Sequence, residues 1–199
     1  VKEMGKTAFA ETRHMTWPNV ALGHFNLYQK IAPLHDEQKL PPLTLQHLKK
    51  LTDEFGVIQF ARHTDPDFRY GYAFDDNARA LMVAAMASKQ HNPKALELLN
   101  RYLRFMRFTQ RKNGDFANLV NAKRKILRQE MSQDTQGRAL WALGYIISLE
   151  TLPLQIRKEA DRLFRKAIPT IKRIASLRAT AFAIIGLSYY TKTKPSIII

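Results

Sequence analysis

Gly71-Tyr72-Ala73-Phe74-Asp75-Asp76-Asn77-Ala78-Arg79-Ala80-Leu81 is the stretch that decides the fold. Two adjacent carboxylates stand just before an alanine-rich apolar run, Ala78 to Ala87. An aspartate at a helix start caps free backbone N–H groups and complements the helix dipole. One aspartate suffices for that. The second is either a solvated neighbour or a carboxylate with a task of its own.

The arrangement returns downstream. Asp134-Thr135-Gln136-Gly137-Arg138-Ala139-Leu140 matches Asp75 to Leu81 at Asp, Arg, Ala and Leu, and it too leads into a small, apolar helix. A weaker third copy places Ser176 at the Asp position and Thr180 at the Arg position, followed by Ala181 to Gly186. The starts lie 59 and 42 residues apart. Self-similarity at that length, built from two helices per unit, is the signature of stacked helical hairpins.

Around these helices the chain alternates in character. Trp17-Pro18 opens a short helix with Val20, Ala21, His24, Leu27 and Tyr28 at helical spacing, whereas residues 1–16 have no clear period. Pro33, Pro41 and Pro42 mark a linker. Thr44 to Phe55 reads as a helix capped by Thr44 and stopped by Gly56, and Val57 to Phe60 as a short extended run. The first alanine-rich helix covers about residues 76–89. Residues 94–111 are amphipathic, with Leu98, Leu99, Tyr102, Leu103 and Met106 on one side and Arg101, Arg104, Arg107 and Arg111 on others. A basic loop of roughly twenty residues follows, a length that is usually functional or mobile. The second apolar helix covers about 135–149, an amphipathic helix kinked at Pro169 covers 154–174, and a third apolar helix covers about 178–191.

Helices apolar all round must be buried, and amphipathic ones pack outside them. The expected fold is therefore all-α: an α/α hairpin array of about three hairpins, with an inner layer led by Asp75, Asp134 and Ser176. Consecutive inner helices then point the same way and their acids gather at one rim. The expected division is an N-terminal arm at 1–41, the hairpin domain at 42–192 and a tail at 193–199.

Composition bounds the function. The 199 residues suffice for one sizeable core, and 45% hydrophobic content excludes a disordered chain. There is no cysteine, hence no disulfide framework and no thiolate zinc site, which fits a reducing, cytoplasmic setting. No run reaches transmembrane length. Net charge is +15, and residues 101–128 hold nine Lys or Arg against one acid, Asp115. Such a chain favours acidic partners. The six histidines form no metal pattern, and there is no nucleophile elbow or phosphate-binding glycine loop, so neither metal nor cofactor is expected. Nucleic acid rests on charge alone and is disfavoured.

Residues 71–81, Gly137-Arg138-Ala139-Leu140-Trp141-Ala142-Leu143-Gly144, Pro42 to Leu51 with Gly56 to Gln59, and Ala181 to Tyr190 together resemble the six-hairpin (α/α)-toroid, glycosidase-like domain associated with bacterial family 4 glycosyltransferases. Residues 10–31 are similar to the closing helix of such a glycosyltransferase. The resemblance covers about residues 40–192 and implies a partial toroid, a saccharide as ligand, and association with a glycosyltransferase, the missing half-toroid or a second copy through the open edge. It also implies that the chain is the middle of a longer protein. Two departures remove negative charge. Gln133 stands where members often carry an acid, and Ala122-Lys123-Arg124 replaces an aromatic-Asp-Arg triplet.

Glycoside hydrolysis commonly needs two carboxylates about 5–10 Å apart across the scissile bond. Asp75 or Asp76 with Asp134 could supply them, and Glu130 in the loop is the spare acid. Arg79 and Arg138 lie four residues past their Asp, either as i,i+4 ion pairs or as donors to sugar hydroxyls or phosphate. Tyr72, Phe74 and Trp141 are stacking candidates, Trp141 equally a core residue. Asn77 completes the candidate binding set Tyr72, Asn77, Arg79, Arg138 and Trp141. With the acid missing at Gln133, the expectation is saccharide binding with weak or absent hydrolysis. The competing reading is a non-catalytic basic helical module that binds an anionic surface.

Overall fold

A computed structural model describes residues 2–31, 44–88, 93–127 and 131–193, and the chain divides into two units, 1–43 and 44–199. The first unit holds helices α1 (Lys2–Thr12) and α2 (Trp17–Ile31). The helix α1 corrects the reading of 1–16 as unpatterned. Its Lys, Glu, Met and Ala residues are good helix formers whatever their order. Hydrophobic period tests burial, and α2 buries nothing: Trp17 is 86% exposed. The proline linker lies outside the described residues.

The second unit is an all-α hairpin array. The short helix α3 (Gln46–Lys50) comes first. Then α4 (Phe74–Ser88) is followed by α5 (Pro93–Thr109), α6 (Gln133–Ser148) by α7 (Leu154–Ala167), and α8 (Leu177–Thr193) closes the described chain. The apolar helices α4, α6 and α8 form one row, and α5 and α7 pack against α4 and α6 from outside. Phe74 at the start of α4 meets Phe105 near the end of α5, centroids 6.5 Å apart, so this pair is antiparallel. The connection 149–153 is short enough to turn α7 back along α6 in the same way. Among the described residues the array thus contains two hairpins and the first helix of a third.

Small residues set how closely the inner helices approach. A Cβ added to Gly137 would meet the Ala179 backbone, one on Gly144 the Gly186 backbone, and one on Gly186 the Leu140 and Trp141 backbones. These pairs climb both helices together, so α6 and α8 run parallel with backbones touching. Between these close approaches Trp141 stacks on Phe182 at 5.2 Å, and just past Gly144 Tyr145 meets Tyr189 edge-on at 5.4 Å. Ile184, 60% exposed, and Ile185 leave an apolar flank of α8 uncovered.

Three local expectations change. Thr44 to Phe55 is not one helix: α3 starts after Leu45, which makes no side-chain cap, so Thr44 is not the capping residue, and the helix stops at Lys50. Asp53 then accepts from the Phe55 and Gly56 amides and turns the chain at 2.9 and 3.0 Å. Gly56 is small because the Asn77 side chain lies where its Cβ would be, not because it ends a helix. Pro169 does not kink α7. It has no N–H to offer the carbonyl four residues back, so the α-helix ends at Ala167 and a 3-10 turn takes over through Arg173.

Two pairs of two-residue strands complete the unit. β1 (Ala61–Arg62) pairs with β2 (Asp65–Pro66), and β3 (Tyr72–Ala73) with β4 (Leu119–Val120), both antiparallel. β4 lies in the loop between α5 and α6, which is therefore built rather than slack. Gly71, at φ +67°, lets the strand before α4 close onto Val120 and Asn121. Among the described residues no helix is long and apolar enough to cross a membrane.

Gly144→Ala tests the seam. Its methyl would meet a backbone carbonyl that cannot rotate away, so the helices must part. Urea denaturation should show a loss of about 1–3 kcal/mol despite alanine's better helix propensity.

Candidate functional site at the rim of the inner helices

The rim is built from two repeated devices. The first is a buried side-chain amide. Asn77 Oδ1 accepts from the Val57 N–H at 2.9 Å, and its Nδ2 donates to the Val57 and Ala73 carbonyls at 3.3 and 2.9 Å. One repeat later, Gln136 Oε1 accepts from the Phe116 N–H at 2.9 Å, and its Nε2 donates to the Phe116 carbonyl at 3.0 Å. Each amide replaces the peptide partner that an irregular buried segment lacks. Each thereby pins the chain 20 residues upstream against an inner helix. Asn77 was a candidate ligand for sugar. It is fully buried, and its amide is engaged by backbone, so it is a positioning residue.

The second device joins the helix starts. The Phe74 N–H donates to the Asn118 carbonyl at 2.8 Å, while Thr135 Oγ1 donates to the Asn118 side chain at 2.8 Å. One loop residue thus touches the first turns of α4 and α6, which lie at the same end. The true N-cap of α6 is Ser132, whose Oγ accepts from the Thr135 N–H at 3.4 Å. Asp75 and Asp134 are the second residues of α4 and α6 and Asp76 the third of α4, so all three lie within first turns, and at α6 the capping is left to Ser132.

Ser176 is the equivalent of Ser132, its Oγ 3.5 Å from the Ala179 N–H. This shifts the third repeat: the place of Asp134 belongs to Arg178, not Ser176. The charge is inverted there, and Arg178 reaches back to Asp134 with Nε at 3.1 Å and with Nη2 on the other oxygen. The i,i+4 pairing expected between Asp134 and Arg138 gives way to this cross-helix pair. Arg138 instead lies over the Phe182 ring, 4.5 Å from its centroid. Arg79 does make the local pair, and makes it twice: its Nη2 is 2.9 Å from Asp75 Oδ2 and 2.6 Å from Asp76 Oδ1.

Asp76 is the electrostatically unusual acid. Burial and the neighbouring Asp75 raise its pKa above the ordinary carboxylate value, against the opposing pull of Arg79 and Arg138. A helix N-terminus by itself favours the ionised form of a carboxylate. Sharing one guanidinium between two adjacent carboxylates leaves Asp76 short of compensation.

The aromatic candidates part company. Tyr72 is buried, donates its hydroxyl to Asp53 Oδ2 at 2.6 Å, and has its pKa pushed up to about 12 by that burial and bond, so it offers no face to a sugar. Phe74 is fully buried against Phe116. Trp141 is only half-buried and keeps Phe182 as its stacking partner. Glu130 lies outside the described residues. Arg178 and Phe182 join the site without having been candidates. Counting from the cap serines, Ser132 to Asp134 and Ser176 to Arg178, would have found the first.

Arg124 locks the loop from the far side. It pairs with Glu54 and, at 3.6 Å, with Asp53, and lies 5.3 Å over the Phe55 ring. Among the described residues no group of three or more His, Asp or Glu is placed to hold a metal ion. Comparison with protein-family models and with curated proteins returns no match.

Asn77→Ala should lower stability by roughly 1–3 kcal/mol for each Val57 group left unsatisfied, read by chemical denaturation, while Asn77→Asp recovers only the acceptor half. Asp53 carries the pH test. Burial raises its pKa, but the bonds from Tyr72, Gly56 and Phe55 and the Arg124 charge outweigh it and hold it below 3.8. Its ionised form stabilises the fold above that value, and the contribution disappears as pH falls through the lower folded pKa. The stability gap between wild type and Asp53→Asn should be full at neutral pH and close below pH 3.8.

Proposed function

We propose that this chain is a carbohydrate-active α/α module, glycosidase-like in architecture, whose rim binds a saccharide. One observation carries the reading. Near the starts of α6 and α8 the Arg138 guanidinium lies 4.5 Å over Phe182, which stacks on the half-buried Trp141, on the helices whose starts carry the Asp134–Arg178 pair. Planar carboxylate and guanidinium groups that bond vicinal hydroxyls, next to a partly open aromatic face, are the chemistry a sugar ring requires.

The proposed role is binding first. Asp75, Asp76 and Asp134 are each held by an arginine, and Thr135 stands in the second repeat where Asp76 stands in the first. A saccharide hydroxyl would compete for those guanidinium and carboxylate groups. Weak or absent hydrolysis follows, with Asp76, the acid of raised pKa, as the proton donor if turnover occurs. The uncovered flank at Ile184 and Ile185 supports a further helical hairpin or a second copy as neighbour. Association with a glycosyltransferase and a cytoplasmic setting complete the proposal, in keeping with a chain that has no cysteine.

An oligosaccharide microarray followed by calorimetry tests it. A bound glycan should lose roughly tenfold or more in affinity with Trp141→Ala and weaken with Asp134→Asn. If no glycan binds above the level of Trp141→Ala, the carbohydrate reading fails.

A further inference from the structure

The outer layer carries a second surface, remote from the sugar chemistry of the rim. Because α5 packs on α4 and α7 on α6, the two outer helices meet only sparingly, and a groove of about 610 Å³ opens between them. Its floor is apolar, made by the buried Leu103 and Ile156 with the half-buried Leu96. Its walls are cationic: Arg104 and Arg107 come from α5, Lys158 and Arg162 from α7. One carboxylate, Glu159, faces these four, held by Arg162 at 2.8 and 2.9 Å with Arg107 at 3.9 Å. The groove therefore keeps a net positive charge over an apolar floor.

That combination selects its occupant. Phosphate-tracking by nucleic acid uses cations and gains nothing from an apolar trough. A flat anionic bilayer does not follow a concave wedge. An amphipathic protein segment satisfies both features, with apolar residues down into the groove and acidic residues against the arginine and lysine walls. We propose that the α5/α7 groove is a docking site for an acidic amphipathic peptide segment of a partner protein.

The test uses the full chain and a fluorescein-labelled peptide with leucines along one helical face and glutamates on the others. Anisotropy titrations compare it with a glutamine-for-glutamate version, a serine-for-leucine version, labelled oligothymidylate, and vesicles containing phosphatidylserine. The acidic peptide should bind roughly tenfold or more tightly than either altered peptide. The double variant R104Q/K158Q changes only exposed side chains. It should lose that binding while keeping its melting temperature and any glycan binding at the rim. Equal binding of the glutamine or serine peptides, unchanged binding in R104Q/K158Q, or no binding of the acidic peptide overturns the proposal. Tighter binding of oligothymidylate or vesicles overturns it in favour of nucleic acid or membrane.

Discussion

Two buried carboxamides hold the rim of this protein in place. An inner helix entered from an irregular segment leaves peptide groups in the core with no regular ladder to join, and an unpaired buried peptide is costly. Asn77 and Gln136 each present a donor and an acceptor on one rigid plane, the pattern of a peptide bond, and each takes up one upstream residue. Gly56, Phe74, Asn118 and the β3/β4 pair take their positions from that constraint. The spacing is the same in both repeats, so the clamp is the structural content of the 59-residue repeat.

Charge is divided between layers by the same architecture. At the rim, carboxylates and guanidiniums balance within and between repeats, through Arg79 with Asp75 and Asp76 and through Arg178 with Asp134. Such pairs at partly exposed positions add little stability. Their effect is to fix orientation and to leave Asp76 under-compensated. Outside, helix faces turned to solvent tolerate an excess of cations, and the surplus collects where α5 and α7 diverge.

Much of the fold was legible because its signals are local. Ala78 to Ala87 and Ala139 to Ile147 are apolar around the helix, and Leu98 to Met106 form a stripe; the first two became inner helices and the third an outer one. The Asp75–Arg79 pair was legible for the same reason, since i,i+4 neighbours meet on any helix. Asn77 and Tyr72 were candidates for saccharide binding, and the structure buries both. Nothing nearby in sequence marks Val57 or Asp53 as their partners, 20 and 19 residues away. Residues 1–16 failed in the opposite sense: α1 forms without a buried face, so periodicity had nothing to detect.

By itself the sequence determined the long helices of the hairpin unit, their alternation of apolar and amphipathic character, and hence the layered hairpin array. Those properties follow from backbone propensity and from which residues recur every three or four positions. Only the tertiary structure decided the partners. Ser176 became a cap and Arg178 the mate of Asp134, Arg138 turned to Phe182, and Asn77 disappeared into the core. The Arg178 and Arg138 contacts depend on how far α8 slides along α6. That distance is set where Gly137, Gly144 and Gly186 let the two backbones touch, a contact between residues about 42 positions apart that no local pattern encodes.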